Sequence, residues 1–289
     1  MRSTNRNKPK PLPSYRRIWE EAFDEHDQAY IDLFCSQALP LARVLYKGPP
    51  QDPYAALCLL PLTLHRPEAA PVSGYYLYAL GTLQAFRGQS LGKQLLEEAR
   101  SLALQNKQKF ILLQPTTAAL FDYYAPLGYT QVLYRTHTDL SLPQNAPEAP
   151  SNHQIQALSQ LSAPRPKNPF YSCFSHSPQS LAYARAECLI RGGHIISSAF
   201  CYPAQDPLNG ENFVEVKYFE ADDETHFASL LSAIVKAFPL VSRFRFYGKP
   251  QPPQALHPEF EQAPFALLQA LDLEVQPSEY AGFFALGLD

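Results

Sequence analysis

The chain has 289 residues, 46% of them hydrophobic, and a formal net charge of −3, which suits one large domain or two of about 145 residues. That charge excludes a globally basic protein drawn to nucleic acid or to an anionic membrane. No apolar run reaches the ~20 residues of a bilayer span, and the basic, Pro-rich opening "MRSTNRNKPKPLPSYRR" lacks the apolar stretch of a signal peptide, so a cytoplasmic protein is expected.

In chain order, "YRRIWEEAFDEHDQAYIDLFCSQAL" (15–39) reads as one or two helices. "ARVLYKG" (42–48) and "YAALCLLPLTL" (54–64) read as strands joined by a Pro/Asp turn, and "GYYLYALGTL" (74–83) as a third strand. From Leu91 the apolar residues fall at 91, 95, 96, 99, 102 and 103, which is one face of a helix. "KFILLQP" (109–115) is a short buried strand, "TTAALFDYYAPLG" (116–128) a helix ended by Gly128, and "YTQVLYRTHTDL" (129–140) a strand.

A stretch rich in Pro, Asn, Gln and Ser, "SLPQNAPEAPSNHQIQALSQLSAPRPKNP" (141–169), then suits a linker and sets an expected boundary near residue 145. Beyond it, 193–203 and 212–220 read as strands, 225–238 as a helix, 241–248 as a strand, 263–272 as a helix and 279–288 as a strand. Pairing Leu95-Leu96 with Leu230-Leu231 aligns the halves at an offset of 135, so that "RGQSLG" falls opposite "DDETHF". The expectation is an α/β (α+β) fold in two tandem copies, each with a mixed central sheet flanked by helices, spanning 1–145 and 146–289. Five scattered cysteines (Cys35, Cys58, Cys173, Cys188, Cys201) form no CxxC pair and read as reduced thiols rather than metal ligands. His194 and His226 read as structural for the same lack of ligand spacing, so no metal is expected.

The stretch "FRGQSLGKQLLEEARSLA" (86–103) carries the chemistry. A helix N-terminus presents unpaired N–H groups and about half a positive charge, which suits an anion. Gly88 and Gly92 allow a tight turn with room for a ligand, and Arg87 and Lys93 add cationic reach. The stretch lacks GxxxxGK(S/T) and GxGxxG, which argues against a P-loop or a dinucleotide fold. Taken alone, the loop reads equally well as a helix start with a Gly turn and a surface Arg.

With its context, the loop resembles the GNAT family of acetyl-CoA-dependent N-acetyltransferases over about residues 15–140. The family's diphosphate loop has the form Gln/Arg-x-x-Gly-x-Gly/Ala, here Arg87, Gly88, Gln89, Ser90, Leu91 and Gly92. Its later Tyr-x-x-x-Gly-Phe/Tyr motif is Tyr124, Ala125, Pro126, Leu127, Gly128 and Tyr129. The whole chain resembles bacterial tandem-GNAT acetyltransferases with a degenerate second half.

The resemblance implies that the strand before the loop splays from its neighbour, so that Leu80 and Thr82 line the pantetheine through main-chain bonds. It implies that the N–H groups from Gly88 through Gln89, Ser90, Leu91 and Gly92 to Lys93 take the diphosphate. Arg87 either binds a phosphate or orders the loop. Two positions depart from the family: Ser90 stands where it has Gly, and Thr117 where it often has Asn.

Tyr124 is the candidate acid, since a phenol can protonate a departing thiolate; the alternative is an aromatic patch with Tyr123 and Phe121. For the base, residues 74–83 hold no carboxylate. Glu68, His65 and, by resemblance to the tandem enzymes, Asp289 are candidates. Asp222, Asp223 and Glu224 would repel a diphosphate, so the second half is not expected to bind CoA.

The implied activity is acetyl transfer from acetyl-CoA to a primary amine of a small molecule or peptide, by direct attack in a ternary complex, in a monomer or an oligomer. The alternative is a non-catalytic acyl-CoA-binding or regulatory protein of the same fold.

Overall fold

The structure is a computed structural model that describes residues 14–66, 69–142, 173–196, 199–206, 209–219, 224–247 and 259–273. Two short helices, α1 (Arg16–Ala22) and α2 (Gln28–Leu33), open the fold. Strands β1 (Arg43–Lys47), β2 (Ala55–Arg66) and β3 (Ala69–Thr82) form an antiparallel meander. Helix α3 (Leu91–Gln105) crosses over to β4 (Phe110–Leu113), which runs parallel to β3. Helix α4 (Ala118–Tyr124) leads to β5 (Gln131–Ser141).

The second half opens with β6 (Cys173–His176), which pairs with the far end of β2, and α5 (Pro178–Ile190), which starts at the Ser177 cap. Strands β7 (His194–Ile196), β8 (Ala199–Gln205) and β9 (Asn212–Tyr218) form a second antiparallel meander. Helix α6 (Glu224–Ala237) crosses to β10 (Arg243–Tyr247), parallel to β9, and β11 (Glu259–Ala270) follows. Three antiparallel strands, a crossover helix and a parallel strand therefore occur twice. Leu95 and Leu96 on α3 and Leu230 and Leu231 on α6 are all buried against the sheet, as the offset of 135 requires.

The strands form one mixed sheet in the order β1-β2-β3-β4-β11-β5-β10-β9-β8-β7. The sequence halves exchange strands. β11, from the second half, lies antiparallel against β4 of the first, and β5, from the first half, lies antiparallel against β10 of the second. β5 and β11 pair with each other at the centre, so the two meanders meet across a pseudo-twofold arrangement.

Alternation along the strands builds two layers. Ala56, Cys58 and Leu60 of β2, with Tyr76 and Tyr78 of β3, face Ile18, Trp19, Tyr30 and Phe34 and, from the second half, Leu181 and Tyr183 of α5. Ala55, Leu57 and Leu59, with Tyr75 and Leu77, face α3 and α4. A third cluster joins α6 to β8, β9 and β10. At the junction of α2, α5 and β3 the hydroxyls of Tyr30 and Tyr78 lie 2.9 Å apart, Tyr183 donates to Tyr30 at 3.4 Å, and Arg191 sits 4.1 Å over the Tyr30 ring.

The helix expected over 263–272 is instead the end of β11. A central strand is buried on both faces, here by Phe265 and Leu268 on one side and Leu267 on the other, so its run of apolar residues shows no alternation and mimics a helix stripe. Pro264 is accommodated at a register shift between Pro264 and Ala266. The stretch 193–203 is two strands rather than one, and β6 and α5 had no counterpart in the sequence reading. The expected linker from residue 143 onward and the expected strand 279–288 lie outside the described residues.

Where β5 meets β10, Asp139 accepts from Arg245 at 2.8 Å through both oxygens and from Arg243 at 2.9 Å. Burial pushes the Asp139 carboxyl up, but hydrogen bonds from the two guanidiniums outweigh it and hold its pKa below the ordinary value. A carboxyl depressed in the folded state stabilises the protein above its unfolded pKa near 4, and that stabilisation is lost as pH falls through the lower folded value. Asp139→Asn is expected to cost about 1–3 kcal/mol at pH 7, measured by urea unfolding, with the gap to wild type closing below about pH 4. A fragment of residues 1–145 leaves β4 without β11 and β5 without β10. It is expected to show no cooperative thermal transition by circular dichroism, and co-expression with residues 146–289 is expected to restore one.

Candidate functional site

β3 and β4 are paired only at Tyr75–Leu77 with Ile111–Leu113. β3 then runs on to Thr82, held on its other side by β2 through Thr82↔Ala55. The strands thus part after Leu77, leaving one edge of β3 open along residues 78–82. A register shift of the β2–β3 ladder falls in the same stretch, where Ala79 takes a positive φ of 53°. The carbonyl of this bulged residue accepts from the buried Tyr15 hydroxyl at 2.9 Å. Leu80 and Thr82, both half-buried, sit on the open edge as the resemblance implies.

The chain leaves β3 through a single turn, Gln84–Phe86, whose Phe86 ring stacks on Tyr54 at 4.0 Å. Residues 87–90 are exposed. Gly88 has φ +78° and Ser90 φ +58°, so the loop reaches α3 through two left-handed residues that turn successive N–H groups to the same side. Ser90 is the helix cap, but its side chain makes no capping bond. The first helical bond from the loop runs from the Gln94 N–H to the Ser90 carbonyl, at 3.0 Å. Among the described residues, none accepts from the N–H groups of residues 88–93. Six consecutive amides without an acceptor therefore precede and open a 15-residue helix at its positive end. Lys93 is exposed beside it.

The Nε of Arg87 donates to the Thr82 carbonyl at 3.3 Å. This bond ties the loop to the end of β3 and takes one of the main-chain acceptors that the sequence reading gave to the pantetheine. Gly92 is needed for close approach: a Cβ there would lie 3.3 Å from the Tyr123 hydroxyl and 4.0 Å from Thr82 Oγ1.

Helix α4 brings its last two residues to opposite environments. Tyr123 is 43% exposed, whereas Tyr124 is 8% exposed and packs with Leu77, Leu95, Leu113 and Leu267. The two rings meet edge to face at 5.0 Å, and Tyr129 closes on Tyr124 from the other side at 5.8 Å. Burial, with the neighbouring Tyr123 second, drives the Tyr124 phenol well above its ordinary pKa, so it stays protonated across the physiological range. β11 from the second half fixes this corner. The Gln269 amide donates to the Leu127 carbonyl at 2.9 Å, inside the turn that follows Tyr124.

The base candidates fare differently. His65 lies on β2 seven residues beyond Cys58, ~23 Å along the strand from the splayed region, and its ring contacts Ser175 Oγ of β6 at 2.7 Å. It does not join the site. Glu68 and Asp289 lie outside the described residues. Thr117 caps α4 in extended conformation without a side-chain bond. A cleft of ≈ 460 Å³ lined by Thr63, Ser73, Gly74 and Tyr75 lies toward the opposite end of β3.

A strand with one edge open, a bulge beside it, and a loop of free amides at a helix start stand together in an α/β fold. The fold is that of the GNAT acetyltransferases. The sequence matches no family model and no curated protein. Solved structures resemble it over most of its length. They include Eis1 from Mycobacterium abscessus (12% identity, TM-score 0.58, covering 91% of this chain and 73% of that one) and a conserved protein of unknown function from Enterococcus faecalis V583 (10%, 0.65, 90% and 69%). A GCN5-related N-acetyltransferase from Kribbella flavida is similar as well (13%, 0.52, 89% and 68%). At these identities the likeness is one of fold, and the chemistry rests on the residues of this chain. Among the described residues, no helix is long and apolar enough to cross a membrane.

Ser90 occupies a left-handed conformation that costs a residue with a Cβ about 1–2 kcal/mol. Ser90→Gly is expected to raise stability by about 0.5–1 kcal/mol in thermal unfolding, the relief being partly offset by the greater freedom of Gly in the unfolded chain.

Proposed function

We propose that the protein is an N-acetyltransferase that moves an acetyl group from acetyl-CoA to a primary amine by direct attack in a ternary complex. The observation that carries the reading is the run of unpartnered amides at residues 88–93, placed at the end of a strand whose edge is open from Tyr78 to Thr82. Amides 88–93 suit the diphosphate, with Lys93 adding charge, and the open edge at Leu80 and Thr82 suits the pantetheine amides. Arg87 acts by ordering the loop. The amine nitrogen attacks the thioester carbonyl carbon, the carbon–sulfur bond breaks, Tyr124 donates its phenolic proton to the departing sulfur, and the phenolate regains a proton from the nitrogen of the new amide. Burial raises the Tyr124 pKa, so the phenol holds its proton when the thiolate departs but is a weaker acid than a free phenol. Asp289 stands as the base, which removes the proton that the ammonium form of the acceptor must lose before attack. A small-molecule or peptide amine is the acceptor, and the second half covers the site.

A second reading is favoured by the strain at Ser90: a non-catalytic acyl-CoA-binding protein of the same fold. Calorimetric titration with acetyl-CoA is expected to show saturable binding that Gly92→Asp abolishes, since a carboxylate would then stand among the amides. Tyr124→Phe is expected to keep acetyl-CoA affinity and to lower turnover on an accepted amine by about 10²-fold or more. Binding by wild type without turnover on any amine would favour the second reading, and no binding would end both.

A further inference from the structure

Tyr123 takes no part in the chemistry assigned so far, yet its environment is unusual. It is the penultimate residue of α4, 100° of helix rotation from the buried Tyr124. It instead keeps 43% of its surface exposed and extends its hydroxyl over the start of α3, 3.3 Å from the position a Cβ on Gly92 would take. Thr82 Oγ1 reaches toward the same point from the end of β3. Neither hydroxyl bonds to a described residue.

We propose that Tyr123 is a further ligand-binding residue of this site, its hydroxyl donating a hydrogen bond to a diphosphate oxygen of CoA held at the α3 loop. The inference rests on the acetyl-CoA reading above. Three observations support it. The hydroxyl, from α4, lies over the start of α3, whose amides at residues 88–93 are unpartnered, so an anion held there would be within reach of both elements. Among the described residues no group accepts from those amides, and the Thr82 carbonyl at the end of β3 already accepts from Arg87. Partial burial raises the Tyr123 pKa, which keeps the phenol a donor rather than a second anion beside the phosphates. Gly92 is then explained as well, since any side chain would fill the gap between the hydroxyl and the loop.

The packing role of the ring and the binding role of the hydroxyl separate in Tyr123→Phe, which keeps the edge-to-face contact with Tyr124 and removes one half-exposed oxygen. Wild type and variant would be titrated by calorimetry with CoA and with dephospho-CoA, which keeps the diphosphate and lacks the 3′-phosphate. The variant is expected to melt at the wild-type temperature without ligand and to bind both ligands about tenfold more weakly, the loss of one charge-assisted hydrogen bond. Unchanged affinity would overturn the proposal. So would a loss confined to CoA, which would place the hydroxyl on the 3′-phosphate, or an affinity loss that tracks a lowered melting temperature. Failure of wild type to bind CoA would overturn the acetyl-CoA reading and this inference with it, whereas wild-type binding with an unaffected variant overturns this inference alone.

Discussion

The antiparallel ladder between β5 and β11 is the interaction on which the rest of the molecule depends. It runs from Glu259↔Asp139 to Leu268↔Gln131, and its two strands come from opposite halves of the sequence. An open β-edge presents unpaired amides and carbonyls, and neither half closes its own. Each edge is completed by the other half's strand, β11 on β4 and β5 on β10. The result is one sheet whose middle cannot be assigned to either repeat. Asp139 and the two arginines of β10 reinforce the seam with charge, and α5 reinforces it from above by packing on α2.

This exchange reaches the site. Leu267 of β11 packs in the same cluster as Tyr124, and Gln269 holds the turn that follows it. The candidate acid is therefore positioned by the second half, although every residue of the phosphate loop comes from the first. A copy that keeps no phosphate loop of its own retains a role as the partner that completes the sheet. Its acidic stretch at Asp222 and Asp223 lies outside the described residues, but α6 buries Leu230 and Leu231 as α3 buries its own pair. Packing is thus repeated where chemistry is not.

Two neighbouring tyrosines show how environment divides roles. Tyr124 is enclosed by leucines and rings, so its ring is fixed and its phenol stays protonated. Tyr123 keeps its ring on the same cluster's rim and its hydroxyl in the open. One residue of helix rotation, 100° of arc, separates the buried phenol from the half-exposed one. The loop opposite them is held in place partly by strain: Ser90 is left-handed without glycine's freedom, and the Arg87–Thr82 bond and the Phe86–Tyr54 stack over-determine its path.

Much of this was legible in the sequence because it is local. The stripe at 91, 95, 96, 99, 102 and 103, the strand before it and the loop between are set by side-chain period and glycine placement. The splay of β3 and the amides of residues 88–93 were expected from the resemblance of those residues to a known family; the left-handed φ of Ser90 was not. What the sequence could not carry was non-local. Residues 263–272 have the apolar density of a helix, and only their place between β4 and β5, buried on both faces, makes them a strand. His65 and Tyr123 were both near candidate positions in the chain, but the ladder carries His65 to the far end of β2 and α4 swings Tyr123 over Gly92. The sequence by itself determined the repeated order of elements and the glycine-bearing loop before α3, since both are written in spacing. Tertiary structure alone decided which half completes which sheet, because the strand partners lie more than a hundred positions apart, and which tyrosine is buried, because that depends on how α4 packs against α3, β4 and β11.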